Sequence, residues 1–178
     1  FNKLFSRIEK YENISDSMEL EIANYLNKVS EGRLSSESKL EIRGMLREVT
    51  EIESIGDSCY NLARTINRKR SGGNDFTEKQ YEHIHQMMQL TDDALAQMIA
   101  IVEDDYHVVD VNKTFNLENE INNYRAQLKN QNVVDVNNKE YDYQMGVHYM
   151  DLIGECEKLA DYVVNVVEAR TNVKEKKA

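Results

Sequence analysis

A ten-residue pattern occurs twice in this chain, 104 residues apart, and it limits the fold more than any other feature of the sequence. The first copy runs from Glu53 to Leu62, and the second from Glu157 to Val166. Each begins with Glu, has Asp four positions later after a Gly or an Ala, and has Asn four positions after the Asp. Because residues four apart lie above one another on an α-helix, each copy predicts a helix that carries a stripe of Glu, Asp and Asn.

The composition also favours helices over strands. The 178 residues include no proline and only seven glycines, and these are the two residues that most disfavour a helix interior. Apolar residues recur at helical spacing through most of the chain. We therefore predict an all-α protein of five long helices. Their expected ranges are 1–31, 36–69, 77–105, 109–130 and 139–171, with a loop at 130–138.

The net charge and the two cysteines indicate which partners and which cellular compartment suit the chain. A net charge of −10 at pH 7 argues against nucleic acid as a partner and favours cations or basic protein surfaces. Cys59 and Cys156 fall on apolar helix faces without metal-ligand spacing. We interpret both as core residues in a reducing compartment, and the methionines of the third predicted helix as core residues too.

Both motif glutamates lie at the edge of an apolar helix face. The face around the first motif comprises Leu46, Val49, Ile52, Ile55, Gly56, Cys59, Tyr60 and Ala63. The face around the second comprises Met150, Ile153, Cys156, Leu159, Ala160, Val163, Val164 and Val167. Glu53 and Glu157 therefore point toward a seam between packed helices, where an unpaired carboxylate is costly. We expect a basic residue, a metal ion or water beside each.

The repeat extends to the helix that precedes each motif. Glu12 and Asp16 lie four residues apart on the first predicted helix, and Glu118 and Asn122 lie four apart on the fourth. Glu12 precedes its motif glutamate by 41 residues, and Glu118 precedes its own by 39. The repeating unit is therefore a pair of helices rather than a short motif.

The third predicted helix has no counterpart in the first half of the chain. Its equivalent would precede residue 1, so we expect two tandem three-helix bundles, the first of which lacks a helix here. Residues 1–73 are assigned to the incomplete first bundle and residues 74–178 to the second. An incomplete bundle leaves part of its core uncovered, and for this reason we expect a homodimer or the exchange of a helix between two chains.

The two motifs resemble the paired acidic signatures of the PhoU family of phosphate-uptake regulators. The residues that carry this resemblance are 52–57 with Asn61 in the first copy, and 157–161 with Asn165 in the second. Residues 14–35 resemble, more specifically, the PhoU-like domains fused behind sodium/phosphate cotransporters. The resemblance covers about residues 11–169. It implies tandem three-helix bundles with one acidic motif on the last helix of each.

The resemblance also implies that the motif carboxylates hold metal ions, either divalent or iron cations. Carboxylate oxygens are hard ligands suited to such ions, and a site commonly needs more than one of them. The primary candidates are Glu53, Asp57, Glu157 and Asp161. The secondary candidates, from the same motifs and from neighbouring helices, are Asn61, Asn165, Glu12, Asp16 and Glu118.

The function that the resemblance implies is regulation of phosphate uptake through protein contacts. We expect a cytoplasmic PhoU-like domain of a sodium-dependent phosphate cotransporter, attached to an inner-membrane protein, whose partner is the transporter portion of the same polypeptide. The alternative within the family is a freestanding regulator of a phosphate ABC transporter and a sensor kinase. The sequence shows no nucleophile with a local base and no phosphate-binding glycine loop, so we do not expect an enzyme.

A ferritin-like di-iron enzyme is an alternative from a different class. Its four-helix core needs a Glu from each of two helices and a Glu-x-x-His pair from each of two others. Glu82 and His85 supply one such pair, and Asp104 with His107 is the nearest second. His148 has no acid three positions before it, and we interpret the histidines as surface residues.

A third alternative is a plain helical interaction module. In that case Gly56 and Ala160 matter most, because a small residue lets a neighbouring helix approach closely, and the motif acids are simply solvated.

Overall fold

In the described part of the chain there are five α-helices: α1 is Asn2–Ser30, α2 is Ser36–Ser71, α3 is Glu78–Glu103, α4 is Asn112–Asn137 and α5 is Tyr143–Glu175. The computed structural model describes residues 1–72, 75–103 and 110–175, with side chains described as far as residue 171. No strand occurs within these ranges, and none of these helices is long and apolar enough to cross a membrane. The all-α prediction is confirmed.

The central helix of the fold is α5. It packs against α2, α3 and α4, and its contact with α2 is the most extensive between described helices. Ile153, Val163, Val166 and Val167 of α5 are fully buried. Because α3 also packs on α4, these two helices and α5 form a three-helix bundle whose core is closed by α2.

Among the described helices, α1 packs on α2 alone. Its one buried residue is Leu26, while Leu4, Met18 and Tyr25 are 61%, 56% and 68% exposed. The apolar spacing of α1 therefore predicts its helical conformation correctly but not its burial, because no third helix covers it within the described residues.

The division at residues 73 and 74 stays a prediction. Ile55 of α2 belongs to the same hydrophobic core as the residues of α3, α4 and α5. The helix that carries the first motif is therefore packed into the second half of the chain as well as against α1.

The starts of α2 and α3 follow from their first residues. Ser35 caps α2, since its hydroxyl oxygen accepts a hydrogen bond from the Ser38 backbone N–H at 3.1 Å. Thr77 and Gln80 form a reciprocal capping box on α3. The Gln80 N–H donates to Thr77 Oγ1 at 3.2 Å, and the Thr77 N–H donates to Gln80 Oε1 at 3.0 Å.

The loop predicted at 130–138 is wrong, because α4 continues to Asn137. Side-chain contacts stabilise its last turns, and the helix propensities of single residues do not include such contacts. Gln131 Nε2 donates to Asp135 Oδ1 at 2.6 Å, and Lys79 Nζ of α3 lies 3.6 Å from Asp135 Oδ2. Contacts within and between helices thus outweigh the weak helix preference of an Asn- and Val-rich segment.

The end of α4 has the hydrogen bonds of a Schellman motif. The Lys139 N–H donates to Val136 O and the Glu140 N–H donates to Asp135 O, both at 3.0 Å. Lys139 takes the left-handed conformation this motif requires, with φ of 60°. As a result α5 starts at Tyr143, later than the predicted residue 139.

Core assignments from the sequence are mostly confirmed. Met87 and Met98 of α3 are buried, and so is Cys156, while Cys59 is partly buried; both cysteines are free thiols. One assignment is wrong, because Ile52 is 39% exposed instead of lying on the packed face of α2.

Candidate functional site

The first motif faces α1 and forms with it what we call the α1–α2 acidic cluster. Its members are Glu12, Asp16 and Glu19 of α1 and Glu53 and Asp57 of α2. One carboxylate oxygen from each of Glu12, Asp16 and Asp57 lies within 4.8 Å of the other two. The structure therefore brings together both primary candidates of the first motif and two secondary candidates.

Burial and the repulsion between neighbouring carboxylates raise the pKa values of two members of this cluster. Burial raises the pKa of Glu53 to about 7, helped by the Asp57 carboxylate and by a hydrogen bond to Asp16. Burial and the charges of Asp16 and Asp57 also raise the pKa of Glu12. A cation placed among these oxygens would replace repulsion by attraction, which is the electrostatic condition for a metal site.

The second motif faces α4 and already has a basic partner. Arg125 Nε lies 3.5 Å from Glu157 Oε2. Burial raises the pKa of both Glu157 and Asp161, and in each case Arg125 opposes that rise. Glu118 accepts a hydrogen bond from Asn122 Nδ2. In the part of the chain with described side chains, three potential metal ligands converge at the first motif and not at the second.

The difference between the two motifs comes from the preceding helix. Asn122 lies four residues after Glu118, where Asp16 follows Glu12, and Arg125 lies seven residues after Glu118, where Glu19 follows Glu12. The second motif thus has an amide and a guanidinium where the first has two carboxylates. An added cation would lower the energy of the first motif more than that of the second.

The motif asparagines do not join the carboxylates; both lie at the contact between α2 and α5. Asn165 Nδ2 donates to Glu51 Oε2 at 3.0 Å, and Asn61 Nδ2 lies 3.5 Å from Glu155 Oε1. Each asparagine therefore pairs with the glutamate that lies two residues before the other motif begins. The two copies bind each other reciprocally through these pairs.

Gly56 lies where α1 comes close to α2. A Cβ atom at this position would be 3.3 Å from Ser15 Oγ and 3.5 Å from Ser15 Cβ. This close approach brings the carboxylates of α1 within reach of the first motif.

Comparison with known proteins gives a family for the second half of the chain, since residues 84–169 match the PhoU domain family. Residues 84–169 form a PhoU domain. A comparison with curated proteins finds no match.

The fold of the whole chain is similar to that of a solved PhoU protein. The crystal structure of the phosphate transport system regulatory protein PhoU from Streptococcus pneumoniae superposes with a TM-score of 0.78 at 16% identity. The superposition covers 98% of this chain and 80% of that one. The first motif, outside the PhoU domain by sequence, therefore lies on a helix that belongs to the shared fold.

The di-iron arrangement is not assembled in the described residues. Glu82 and His85 are both exposed on α3. Asp104 and His107 lie outside the described residues. The interpretation of the histidines as surface residues is wrong for His83 and His148, which are both half-buried. The Nδ1 atom of His83 lies 2.9 Å from the Tyr149 hydroxyl, and the Nδ1 atom of His148 is buried.

Sequence reasoning missed Glu19, Arg125, Glu51 and Glu155. The signal for the last two was present, because a Glu lies two residues before the motif Glu in both copies of the repeat. Glu19 and Arg125 gave no such signal, because they occupy the same position of the repeat but are different residues in the two copies.

Proposed function

We propose that this chain is the cytoplasmic regulatory domain of a sodium-dependent phosphate cotransporter and that it controls phosphate uptake through protein contacts. The PhoU domain at residues 84–169 carries this proposal, because it makes the chain a PhoU-type phosphate regulatory domain. The shared fold with a phosphate transport regulator supports it. The cotransporter assignment depends on the resemblance of residues 14–35 to PhoU-like domains fused behind such transporters.

In this proposal the partner is the membrane portion of the same polypeptide. The test is to fractionate source cells and detect the chain by antibody. An antigen that stays in alkali-washed membranes and runs well above 20.7 kDa supports the cotransporter. A freestanding species near this size in the soluble fraction contradicts it and supports the alternative, a regulator of a phosphate ABC transporter and a sensor kinase.

As part of this proposal, the acidic motifs bind cations. Glu12, Asp16 and Asp57 already place one oxygen each within a cation-sized space, and Glu53 lies beside them. We assign a divalent or iron cation to this cluster. We also assign a weaker cation site to Glu157, Asp161 and Glu118; it is weaker because Arg125 already supplies part of the positive charge that a metal ion would bring.

Metal content of the purified chain tests this component directly. We expect near-stoichiometric divalent metal or iron by elemental analysis, lost when Glu53→Gln and Asp57→Asn are combined. The matched control combines Glu157→Gln with Asp161→Asn and should retain most of the metal. Equal loss from both double variants contradicts the ranking of the two sites, and a metal-free wild type contradicts the metal assignment altogether.

The same variants connect the site to uptake. Phosphate uptake by cells that carry Glu53→Gln and Asp57→Asn in the intact polypeptide should respond abnormally to external phosphate, while the second-motif variant should respond more nearly as wild type does. An unchanged uptake response in the Glu53→Gln and Asp57→Asn variant would contradict a role of the metal site in regulation.

A further inference from the structure

Positive charge is concentrated at one end of the α1–α2 pair. Residues 1–10 and 64–72 contain seven of the chain's 22 Lys and Arg residues and one acid, Glu9. These two segments have a net charge of +6, which leaves −16 for the rest of a chain whose total is −10. We call the two segments the basic end, and its cations are Lys3, Arg7, Lys10, Arg64, Arg68, Lys69 and Arg70.

Aromatic contacts join the two segments into one surface. The Phe5 ring packs against the rings of Phe1 and Tyr60, and both centroid distances are 5.9 Å. The guanidinium carbon of Arg70 lies 4.2 Å from the centroid of the Phe1 ring. The guanidinium carbon of Arg64 lies 5.7 Å from the centroid of the Tyr60 ring. The start of α1 and the end of α2 therefore present their cations side by side.

Most cations of the basic end are not neutralised by acids. Lys69 is buried and pairs with Asp75. The other six are exposed, and none of them forms an ion pair within the described part of the chain. Glu9 accepts a hydrogen bond from the Tyr60 hydroxyl at 3.2 Å. Exposed cations without acidic partners attract an anionic surface.

The outer side of α1, near its start, is also separated from most acids of the chain. At 1.5 Å per residue, Glu12 of the α1–α2 acidic cluster lies roughly 16 Å along the helix from Phe1. Because α1 packs on α2 alone among the described helices, α2 lies between α1 and α5. The axes of packed helices are about 8–10 Å apart, and the Debye length is about 8 Å at physiological salt. An anionic surface that approaches this side of α1 therefore meets the basic end with most of the acids screened.

Apolar side chains are exposed among these cations. Leu4, which is next to Lys3 and one turn before Arg7, is 61% exposed, and Phe1 is 38% exposed. The boundary of a bilayer accepts apolar side chains while its anionic headgroups bind neighbouring Lys and Arg. A soluble polyanion offers only the second kind of contact. The combination therefore favours a membrane surface over a soluble anion.

We propose that the basic end binds the surface of a membrane that contains anionic lipids. Its exposed Lys and Arg side chains bind the headgroups, and Leu4 and Phe1 enter the headgroup boundary. This assigns the chain a membrane-contact surface outside both acidic motifs and outside residues 84–169. The inference does not depend on the function proposed above, because the surface serves a freestanding regulator as well as an attached domain.

Cosedimentation of the wild-type chain with vesicles tests the proposal. We expect binding at low salt to vesicles made of equal parts of phosphatidylglycerol and phosphatidylcholine. Added salt should weaken this binding, and vesicles of phosphatidylcholine alone should not bind the chain. Absence of binding to the anionic vesicles, or equal binding to both kinds of vesicle, overturns the proposal.

A triple variant tests whether the basic end carries the binding. Arg7→Gln, Arg64→Gln and Arg70→Gln together should weaken binding to the anionic vesicles by roughly tenfold or more, because each basic residue near an anionic surface contributes about fivefold. Circular dichroism of the variant shows whether its helices are intact. The wild-type comparison of the two kinds of vesicle tests the proposal even if this variant does not fold.

The matched control removes the same charge at the other end of the α1–α2 pair. It combines Arg33→Gln, Lys39→Gln and Arg43→Gln, all at exposed positions, and should bind the vesicles as wild type does. Equal loss of binding in the two triple variants would mean that only the net charge of the chain matters, and would overturn the assignment to the basic end.

Leu4→Ser distinguishes a membrane from a soluble polyanion. It should weaken vesicle binding several-fold, because an apolar side chain is lost from the headgroup boundary, and it should leave any binding of polyphosphate unchanged. Leu20→Ser, at a similarly exposed position of α1, is the control and should bind vesicles as wild type does. If Leu4→Ser binds vesicles as wild type does and polyphosphate binds the chain as tightly as vesicles do, the basic end is a site for soluble polyanions and the proposal is overturned.

Discussion

At the scale of single residues, the two copies of one motif differ because of what the neighbouring helix places beside them. Glu53 lies among carboxylates, while Glu157 lies beside Arg125. The same glutamate position is therefore electrostatically strained in the first copy and partly neutralised in the second.

The first prediction concerns pH. Because the pKa of Glu53 is raised from 4.5 to about 7, the folded chain binds more protons than the unfolded chain between these values, and stability falls as pH rises through that interval. In metal-free buffer, Glu53→Gln should be more stable than wild type at pH 8, by about 1 kcal/mol after solvent screening. The difference should vanish near pH 4.5. Thermal unfolding followed by circular dichroism across this range measures it.

Glu157→Gln is the matched comparison for the pH experiment. It should give a smaller gain at pH 8, because Arg125 opposes the rise that burial causes in the pKa of Glu157. A Glu53→Gln variant that is less stable than wild type at pH 8 without metal would show that the cluster is not strained.

The second prediction concerns Arg125. Arg125→Gln leaves Glu157 and Asp161 without the guanidinium, so this variant should lose about 1 kcal/mol of stability at pH 8. It should also gain stabilisation by Mn²⁺, because the second motif then resembles the first. Thermal unfolding with and without Mn²⁺ measures both effects. Arg47→Gln, which removes a more exposed pair with Glu168, should show a smaller loss and no new response to Mn²⁺; a similar Mn²⁺ response in both variants would contradict the prediction.

At the scale of elements, the contacts between helices decide what each helix tolerates. The end of α4 remains helical because α3 and the start of α5 pack against it, and Gly146 of α5 lies at that contact. A Cβ atom there would be 2.9 Å from Val136 Cγ2 and 3.0 Å from Asn132 Oδ1. At Gly154, two turns further along α5, a Cβ atom would meet nothing within 4 Å.

These two glycines give a matched element-scale prediction. Gly154→Ala should stabilise the chain by about 0.5–1 kcal/mol, since alanine favours the helix and meets no obstacle. Gly146→Ala should give no stabilisation or should destabilise the chain, because the end of α4 must move to make room for the added methyl group. Urea unfolding of both variants measures the difference, and equal effects would show that α4 does not lie this close to α5.

At the scale of the whole molecule, the fold leaves one helix pair only partly covered. Besides the residues named above, Tyr11 and Leu20 of α1 are 56% and 60% exposed, and α1 packs on α2 alone among the described helices. Exposed apolar residues grouped on one helix are typical of a surface that contacts another protein. The homodimer remains a prediction, and the exposed apolar residues of α1 agree with it.

Light scattering at increasing concentration tests this whole-molecule prediction. We expect the mass to rise toward that of a dimer, and Met18→Glu with Tyr25→Glu to shift the chain back to a monomer, because charges on α1 oppose its association. Gln144→Glu with Asn67→Asp, at exposed positions on α5 and α2, is the control for added charge. A monomeric wild type at high concentration contradicts the prediction.

The sequence alone determined the helical class, the approximate helix boundaries and the positions of the acidic motifs. These follow from local physics: the absence of proline, apolar residues at helical spacing, and a repeated Glu, Asp and Asn at intervals of four. The position of Glu53 and Glu157 at helix seams was predictable for the same reason. Much of the candidate site could therefore be found before any tertiary contact was known.

Only the tertiary structure decided what lies across each seam. It placed Glu12 and Asp16 against the first motif and Arg125 against the second, and it paired Asn61 and Asn165 with glutamates of the opposite helix. It also kept the last turns of α4 helical. These outcomes depend on packing between helices distant in sequence, which spacing along a single helix does not specify.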